Sequence, residues 1–284
     1  VLDSNSGLNV VIQTGADITG TTAGDLIEAS DTAFPLDNLI LAGRGNDIVR
    51  ANAGNDELRG DSGGDLLFGG AGNDRLLGQN DPDGLYGGTG SDNLIGGNGA
   101  DTLDGGSGDD ILRGGRNNDD FSFEARAGAS LGADLIEDFD GASGDRVINT
   151  GDTAAVLVVS VRADGKLLGS IREGGTDLAT ALATPELGTI LFNNTAFATT
   201  ATGSQIRSAF DPDADGVEEA FAGWGAVFYD AVDDAPDTSA DEDNNLALTA
   251  PDTAIDAGEM TAVSLAVTGI DADADAVVSV TDGV

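Results

Sequence analysis

From Ala42 to Ser122 a large apolar residue recurs at every ninth position: Val49, Leu58, Leu67, Leu76, Leu85, Leu94, Leu103, Leu112 and Phe121. In a chain that is 40% hydrophobic, nine hits in fixed register would arise by chance roughly three times in ten thousand. The segment divides into nine nonapeptides, AGRGNDIVR, ANAGNDELR, GDSGGDLLF, GGAGNDRLL, GQNDPDGLY, GGTGSDNLI, GGNGADTLD, GGSGDDILR and GGRNNDDFS, with the apolar residue eighth in each. Glycines at positions 1, 2 and 4 permit positive φ, which predicts a tight turn over the first six residues. Positions 7 to 9 then form a short strand, in which position 8 faces one way and its neighbours the other. Position 8 suits a core. Arg50, Glu57, Arg59, Arg75, Asp104 and Arg113, at positions 7 and 9, suit solvent. One turn and one strand reverse the chain, so two repeats make a coil of eighteen residues, and coils stack with two facing apolar ladders.

Position 6 is aspartate in every copy: Asp47, Asp56, Asp65, Asp74, Asp83, Asp92, Asp101, Asp110 and Asp119. Stacking puts Asp47, Asp65, Asp83, Asp101 and Asp119 on one flank and Asp56, Asp74, Asp92 and Asp110 on the other, with neighbours roughly 5 Å apart. Carboxylates that close repel unless a cation lies between them. The whole chain of 284 residues carries 51 acidic and 12 basic residues, a formal charge of −39. That balance disfavours nucleic acid, whose phosphates would be repelled, and favours multivalent cations. Ca²⁺ accepts six to eight oxygens, backbone carbonyls included, whereas Mg²⁺ demands a stricter octahedron. The glycine-rich turns supply such carbonyls, and their candidate donors are Gly43, Gly45, Gly54, Gly63, Gly70, Gly72, Gly88, Gly90, Gly97, Gly99, Gly106 and Gly108. The absence of cysteine and histidine removes disulfide staples, His-based zinc sites and the Ser-His-Asp triad. No apolar run reaches the roughly 18 residues of a membrane span.

The nonapeptide resembles the calcium-binding repeat of the repeats-in-toxin (RTX) family, G-G-x-G-x-D-x-U-x. The resemblance implies an all-β, right-handed parallel β-roll with each ion held between one turn and the next on the same flank. About four sites on one flank and three on the other make about seven Ca²⁺, which cancel about 14 of the 39 negative charges. Ala42 and Ala51, in place of the first glycine, predict weaker sites in the first turns. Asp81-Pro82 either distorts one site or adds a ligand to it. Asn117, at a fourth position, tolerates the left-handed backbone.

Residues 1–41 read as an N-terminal cap of degenerate coils. Residues 123–150 resemble the segment that closes the roll in secreted RTX enzymes of the serralysin type, on Asp134, Ile136, Asp138 and Phe139, then Gly144, Asp145 and Ile148. That resemblance implies that Asp138 serves the last ion. Residues 151–232 read as a small β-rich region. It has a hairpin about Ala163-Asp164-Gly165 and a strand in "GTILFNNTAF", with Phe221, Trp224 and Phe228 clustered at near-helical spacing as a small core or packing patch rather than a ligand cage. Asp211, Asp213 and Asp215 copy the first half of a calcium loop, but Ala222 stands where an EF-hand requires glutamate. An eighth calcium site and an acidic turn are the two readings. Residues 233–248 form an acidic linker. Residues 249–284 resemble the opening strands of Ig-like repeats in very large secreted bacterial adhesins. They are read as the start of such a domain or as strands donated to a neighbour, with an acidic tail as the alternative.

The function expected is a non-enzymatic, calcium-loaded structural module of an extracellular Gram-negative protein: an adhesin, surface layer or matrix filament. The resemblance implies type I export of an unfolded chain that folds on meeting Ca²⁺ outside. Partners beyond calcium would be identical subunits in a lattice or fibre and surface or matrix ligands. The alternative is the secretion and folding domain of an RTX protease, lipase or epimerase.

Overall fold

A computed structural model describes residues 9–13, 17–29, 36–141, 144–195, 197–198, 201, 203–208, 210, 220–229, 247–249 and 266–268. The chain forms two compact units, Val1–Val232 and Asp233–Val284. In the second, the described residues Ala247–Thr249 and Ala266–Thr268 pair as antiparallel strands. The Asp211, Asp213 and Asp215 motif lies outside the described residues, as do nearly all of the linker and Ig-like segments.

The strands of the first unit are, in chain order, β1 (Asn9–Gln13), β2 (Asp17–Thr19), β3 (Asp25–Ala29), β4 (Leu39–Arg44), β5 (Ile48–Ala53), β6 (Glu57–Ser62), β7 (Leu66–Ala71), β8 (Arg75–Asn80), β9 (Gly84–Thr89) and β10 (Asn93–Asn98). There follow β11 (Thr102–Ser107), β12 (Ile111–Arg116), β13 (Asp120–Phe123), β14 (Gly132–Ile136), β15 (Arg146–Asn149), β16 (Val156–Val161), β17 (Leu167–Arg172), β18 (Glu186–Phe192), β19 (Phe221–Ala222) and β20 (Ala226–Tyr229). Odd strands β1 to β15, ending in β19, make one sheet. Even strands β2 to β14, followed by β18, β17, β16 and β20, make the other. The fold is all-β, a parallel β-solenoid of about 6 turns.

Each coil pairs with the next in register eighteen residues on, so Val49, Leu67, Leu85, Leu103 and Phe121 stack in one sheet. Leu58, Leu76, Leu94 and Leu112 stack in the other. All nine are fully buried. Burying a leucine contributes about 1.5–3 kcal/mol, so these two ladders are the main favourable term of the array.

The strands are longer than the nonapeptide pattern predicts. They run through positions 7, 8, 9, 1, 2 and 3, with buried residues at positions 8 and 1. Only positions 4 to 6 form the turn. Glycine's weak strand propensity argues against this extension, but parallel pairing on both sides overrides it. The sheets also begin before Ala42: β3 pairs with β5 and β2 with β4.

Beyond Phe121 the roll is closed by aromatic packing. The Phe139 ring lies 6.1 Å from Phe121, 5.0 Å from Phe192, 6.0 Å from Phe210 and 6.4 Å from Phe221. An end coil would otherwise expose its core face. The expected hairpin is present as β16 and β17, antiparallel about residues 162–166, and the expected strand in "GTILFNNTAF" is β18. Every residue of β16 is buried, because Leu157, Val159 and Val161 face the main core. Val156 and Val158 pack instead on Ala181 of a short helix, α1 (Leu178–Leu182), started by an Asp177 capping box. The clustered aromatics pack as expected, with Phe221 and Phe228 on strands: Phe221 pairs with Val147 and Phe228 with Val158. Trp224, between them, donates its Nε1–H to the Val147 carbonyl at 3.1 Å.

Candidate metal sites in the stacked turns

The turn aspartates form two ladders. On one flank the Asp25 N–H donates to Asp47 Oδ1 (2.6 Å), Asp47 to Asp65 (2.8 Å), Asp65 to Asp83 (2.8 Å), Asp83 to Asp101 (2.9 Å), Asp101 to Asp119 (2.9 Å) and Asp119 to Asp145 (3.0 Å). On the other, Asn38 donates to Asp56 (2.7 Å), Asp56 to Asp74 (2.7 Å), Asp74 to Asp92 (2.7 Å), Asp92 to Asp110 (2.7 Å) and Asp110 to Asp134 (2.9 Å). All nine repeat aspartates therefore fall on the flanks their spacing predicts, and all are 1–4% exposed.

A carboxylate has two oxygens, and the ladder uses one. The other, Oδ2, is shut from solvent and has no hydrogen-bond partner in Asp47, Asp65, Asp74, Asp83, Asp92, Asp101 and Asp110. A buried carboxylate oxygen without a partner is strongly unfavourable unless something cationic meets it. Burial accordingly pushes these carboxyls up. Asp47, Asp92, Asp101 and Asp110 reach about 6, and Asp65, Asp74 and Asp119 about 7. Asp83 and Asp134 reach about 8. The N–H that each accepts pulls the other way, and neighbouring carboxylates add to the rise in most of them.

Backbone oxygens converge on the same places. A Cβ added to the position-1 glycine would overlap the orphan Oδ2 of its own turn: Gly60 with Asp65, Gly69 with Asp74, Gly87 with Asp92, Gly96 with Asp101. The same points lie 2.9 Å from the Gly78 carbonyl oxygen, 2.8 Å from that of Gly87, 2.6 Å from that of Gly105 and 2.7 Å from that of Gly114, each one coil further on. In these copies position 1 is thus glycine for room, not for its dihedral angles. Positive φ is confined to positions 2 and 4, where it occurs in every copy, including the non-glycine residues Asn52, Asp61, Gln79, Asp81 and Asn117. A hard cation suits this donor set of buried carboxylate and carbonyl oxygens. Among the described residues no three acidic side chains converge as one cluster, so backbone carbonyls must complete any site.

Three aspartates of the ladders lie outside the nonapeptide column: Asp25, Asp134 and Asp145. Their spacings of 22, 24 and 26 residues hide them from an eighteen-residue search. Asp134 and Asp145 belong to the closing phrase, which is the signal that marks them. Asp138 takes a different place from the ladder aspartates. Its Oδ1 accepts from the Gly114 N–H (3.0 Å) and its Oδ2 from the Gly115 N–H (3.0 Å). Its charge bears on Asp119 and Asp145.

A second lacing runs the opposite way through position 5. The Asn55 N–H donates to Asp37 Oδ1 (2.8 Å), the Asn73 N–H to Asn55 Oδ1 (2.8 Å), and the Ser91 N–H to Asn73 Oδ1 (2.9 Å). Position-6 acceptors bond back to the preceding coil and position-5 acceptors forward to the following one, so each turn on that flank is tied in both directions.

Such a solenoid, with carboxylates and carbonyls stacked in its turns, is a cation-binding β-solenoid. Comparison with protein families gives the type: four copies of the RTX calcium-binding nonapeptide repeat match residues 34–67, 41–76, 51–85 and 86–121, and these matches together with the solenoid fit an RTX β-roll. RTX repeats bind calcium and occur in secreted bacterial proteins. No curated protein matches the chain. Among the described residues no helix is long and apolar enough to cross a membrane.

Proposed function

We propose that this chain is a calcium-folded structural module of a type I-secreted bacterial protein, working at the cell surface or in the extracellular matrix as part of an adhesin, surface layer or filament, and carrying no catalytic activity. The observation that supports this best is the row of seven buried, unpartnered Oδ2 atoms in the roll. Those oxygens make the metal-free coil stack unfavourable and the cation-bound stack favourable, so the chain's own carboxylates couple folding to calcium. With a formal charge of −39 the chain resists compaction at low calcium, the condition an exported, unfolded polypeptide requires. Outside, weak sites suffice, since extracellular modules work at roughly 10⁻⁴ to 10⁻³ M. About seven ions fit the inter-coil steps of the repeat array.

Circular dichroism of the whole chain tests the reading. In EDTA the spectrum should be coil-like; millimolar Ca²⁺ should convert it to β, and equal Mg²⁺ should not. A spectrum indifferent to calcium refutes coupled folding.

A further inference from the structure

The aspartate ladder that runs through Asp47 and Asp65 is built differently at its ends. Along its middle, Oδ2 of Asp47, Asp65, Asp83 and Asp101 is buried and unpartnered. At Asp25 and Asp145, its first and last aspartates among the described residues, that oxygen is taken. Asp25 Oδ2 accepts from the Thr21 N–H at 2.5 Å, and its Oδ1 from the Thr21 hydroxyl at 3.2 Å. Asp145 Oδ2 accepts from the Asp140 N–H at 2.8 Å, while its Oδ1 takes the ladder bond from the Asp119 N–H at 3.0 Å. At each end the chain supplies its own donor, from a residue four or five positions earlier.

The first end shows what has been exchanged. Gly20 to Glu28, GTTAGDLIE, aligns with the nonapeptide, with Asp25 sixth and the fully buried Ile27 eighth. Gly20 stands where the position-1 glycines stand: a Cβ there would lie 2.8 Å from Asp25 Oδ2 and would overlap the Ala42 carbonyl oxygen one coil on. The carboxylate and the carbonyl of a repeat turn are therefore both present. Positions 2 and 4 differ. They take positive φ in every repeat, but Thr21 and Ala23 do not, and a β-branched residue would be strained there. The Thr21 hydroxyl accepts the Ala23 N–H at 3.2 Å and ties the turn in this form, with the Thr21 N–H aimed at Oδ2. A cation on that oxygen would face the positive end of the N–H bond. At the other end the Asp145 N–H donates back to the Asp140 carbonyl at 3.1 Å, which fixes the Asp140 N–H on Oδ2.

We propose that Asp25 and Asp145 hold no calcium, and that the main-chain N–H groups of Thr21 and Asp140 stopper this column of ions at its two ends. The proposal rests on the calcium reading above. A carboxylate with both oxygens partnered leaves no orphan for a cation to relieve, so the end turns are held alike with and without calcium. The other flank begins with no carboxylate at all. Asn38 stands in its ladder, with its N–H on Asp56 Oδ1 and its side-chain amide on the Leu36 carbonyl, both at 2.7 Å. The turns that join the roll to its flanking segments are thus independent of the ion that folds its middle.

Two measurements on the whole chain test this. Equilibrium dialysis against saturating CaCl₂ counts the ions. Asp25→Asn and Asp145→Asn should each bind as many as the wild type, whereas Asp65→Asn should bind one fewer. Urea unfolding followed by circular dichroism is then run in calcium, and again in EDTA with trimethylamine N-oxide to favour the metal-free fold. Asp25→Asn and Asp145→Asn should each shift the midpoint by the same amount in both conditions. Asp65→Asn should lower it in calcium and raise it in EDTA. Loss of an ion from either end variant, or a midpoint shift that changes sign with calcium, overturns the proposal. A wild type that takes up no calcium, or an Asp65→Asn chain that keeps every ion, overturns the calcium reading beneath it instead.

Discussion

Asp92→Asn should have opposite effects with and without calcium. Asparagine keeps the ladder acceptor: its Oδ1 can still take the Asp74 N–H, which Asp92 accepts at 2.7 Å. What changes is the orphan oxygen, which becomes a neutral NH₂. In the metal-free chain that is a gain. Burial first, and the Asp110 charge after it, raise the Asp92 carboxyl from 3.8 to about 6. Holding it ionised in the folded state at pH 7.5 thus costs about 2–3 kcal/mol at roughly 1.4 kcal/mol per pKa unit. The substitution should remove most of that cost. In calcium the sign reverses. A site with a dissociation constant of about 10⁻⁴ M, at a free calcium concentration about a hundredfold higher, adds roughly 2.7 kcal/mol to stability, and losing its carboxylate forfeits most of it. The assay is urea unfolding followed by circular dichroism, in calcium and again in EDTA with trimethylamine N-oxide added to bring the metal-free roll into its transition. Destabilisation in calcium with stabilisation in EDTA is the expected pair. A change of the same sign under both conditions would refute the argument that this oxygen is a cation ligand.

The raised carboxyls also fix a pH dependence. Their folded-state values of about 6 to 8 exceed the ordinary 3.8. The stability gained by protonation is therefore fully present below pH ~4 and lost as pH rises through about 6 to 8. In EDTA, β-structure should form near pH 4 and melt by about pH 8 in a circular dichroism titration, and saturating calcium should keep it to the alkaline end. Leu94→Ala, at a fully buried ladder position, should lower stability in calcium by about 2–5 kcal/mol by urea unfolding, with the same number of ions bound. Asn73→Ala removes the acceptor of the Ser91 N–H at an exposed turn and should cost only about 0.5–1.5 kcal/mol by the same assay.

The stacking was legible because it is periodic. Leu58, Leu76 and Leu94 sit at the same place in successive coils, and so do Asp56, Asp74 and Asp92; a spacing of eighteen predicts both their partners and their flanks. What the pattern hides is whatever breaks the period. Asp134 and Asp145 join the ladders only because the chain between Phe123 and Arg146 makes longer excursions before re-entering register. Asp25 does the same at the other end. The extent of the strands was hidden for another reason. Gly69 and Gly70 look like turn residues by propensity, but parallel pairing holds them in β7, and residue 69 is glycine because a Cβ there would overlap Asp74 Oδ2. Phe221, Trp224 and Phe228 were legible as packing residues, but not as belonging to two short edge strands with a bend between them, because their near-helical spacing does not show the strand period.

The most direct measurement is a crystal structure of the whole chain grown in calcium, with anomalous differences used to place the ions. Peaks should lie between successive coils, 2.3–2.6 Å from Oδ2 of Asp47, Asp65, Asp74, Asp83, Asp92, Asp101 and Asp110. A folded roll whose Oδ2 atoms meet only water or protein would contradict the account.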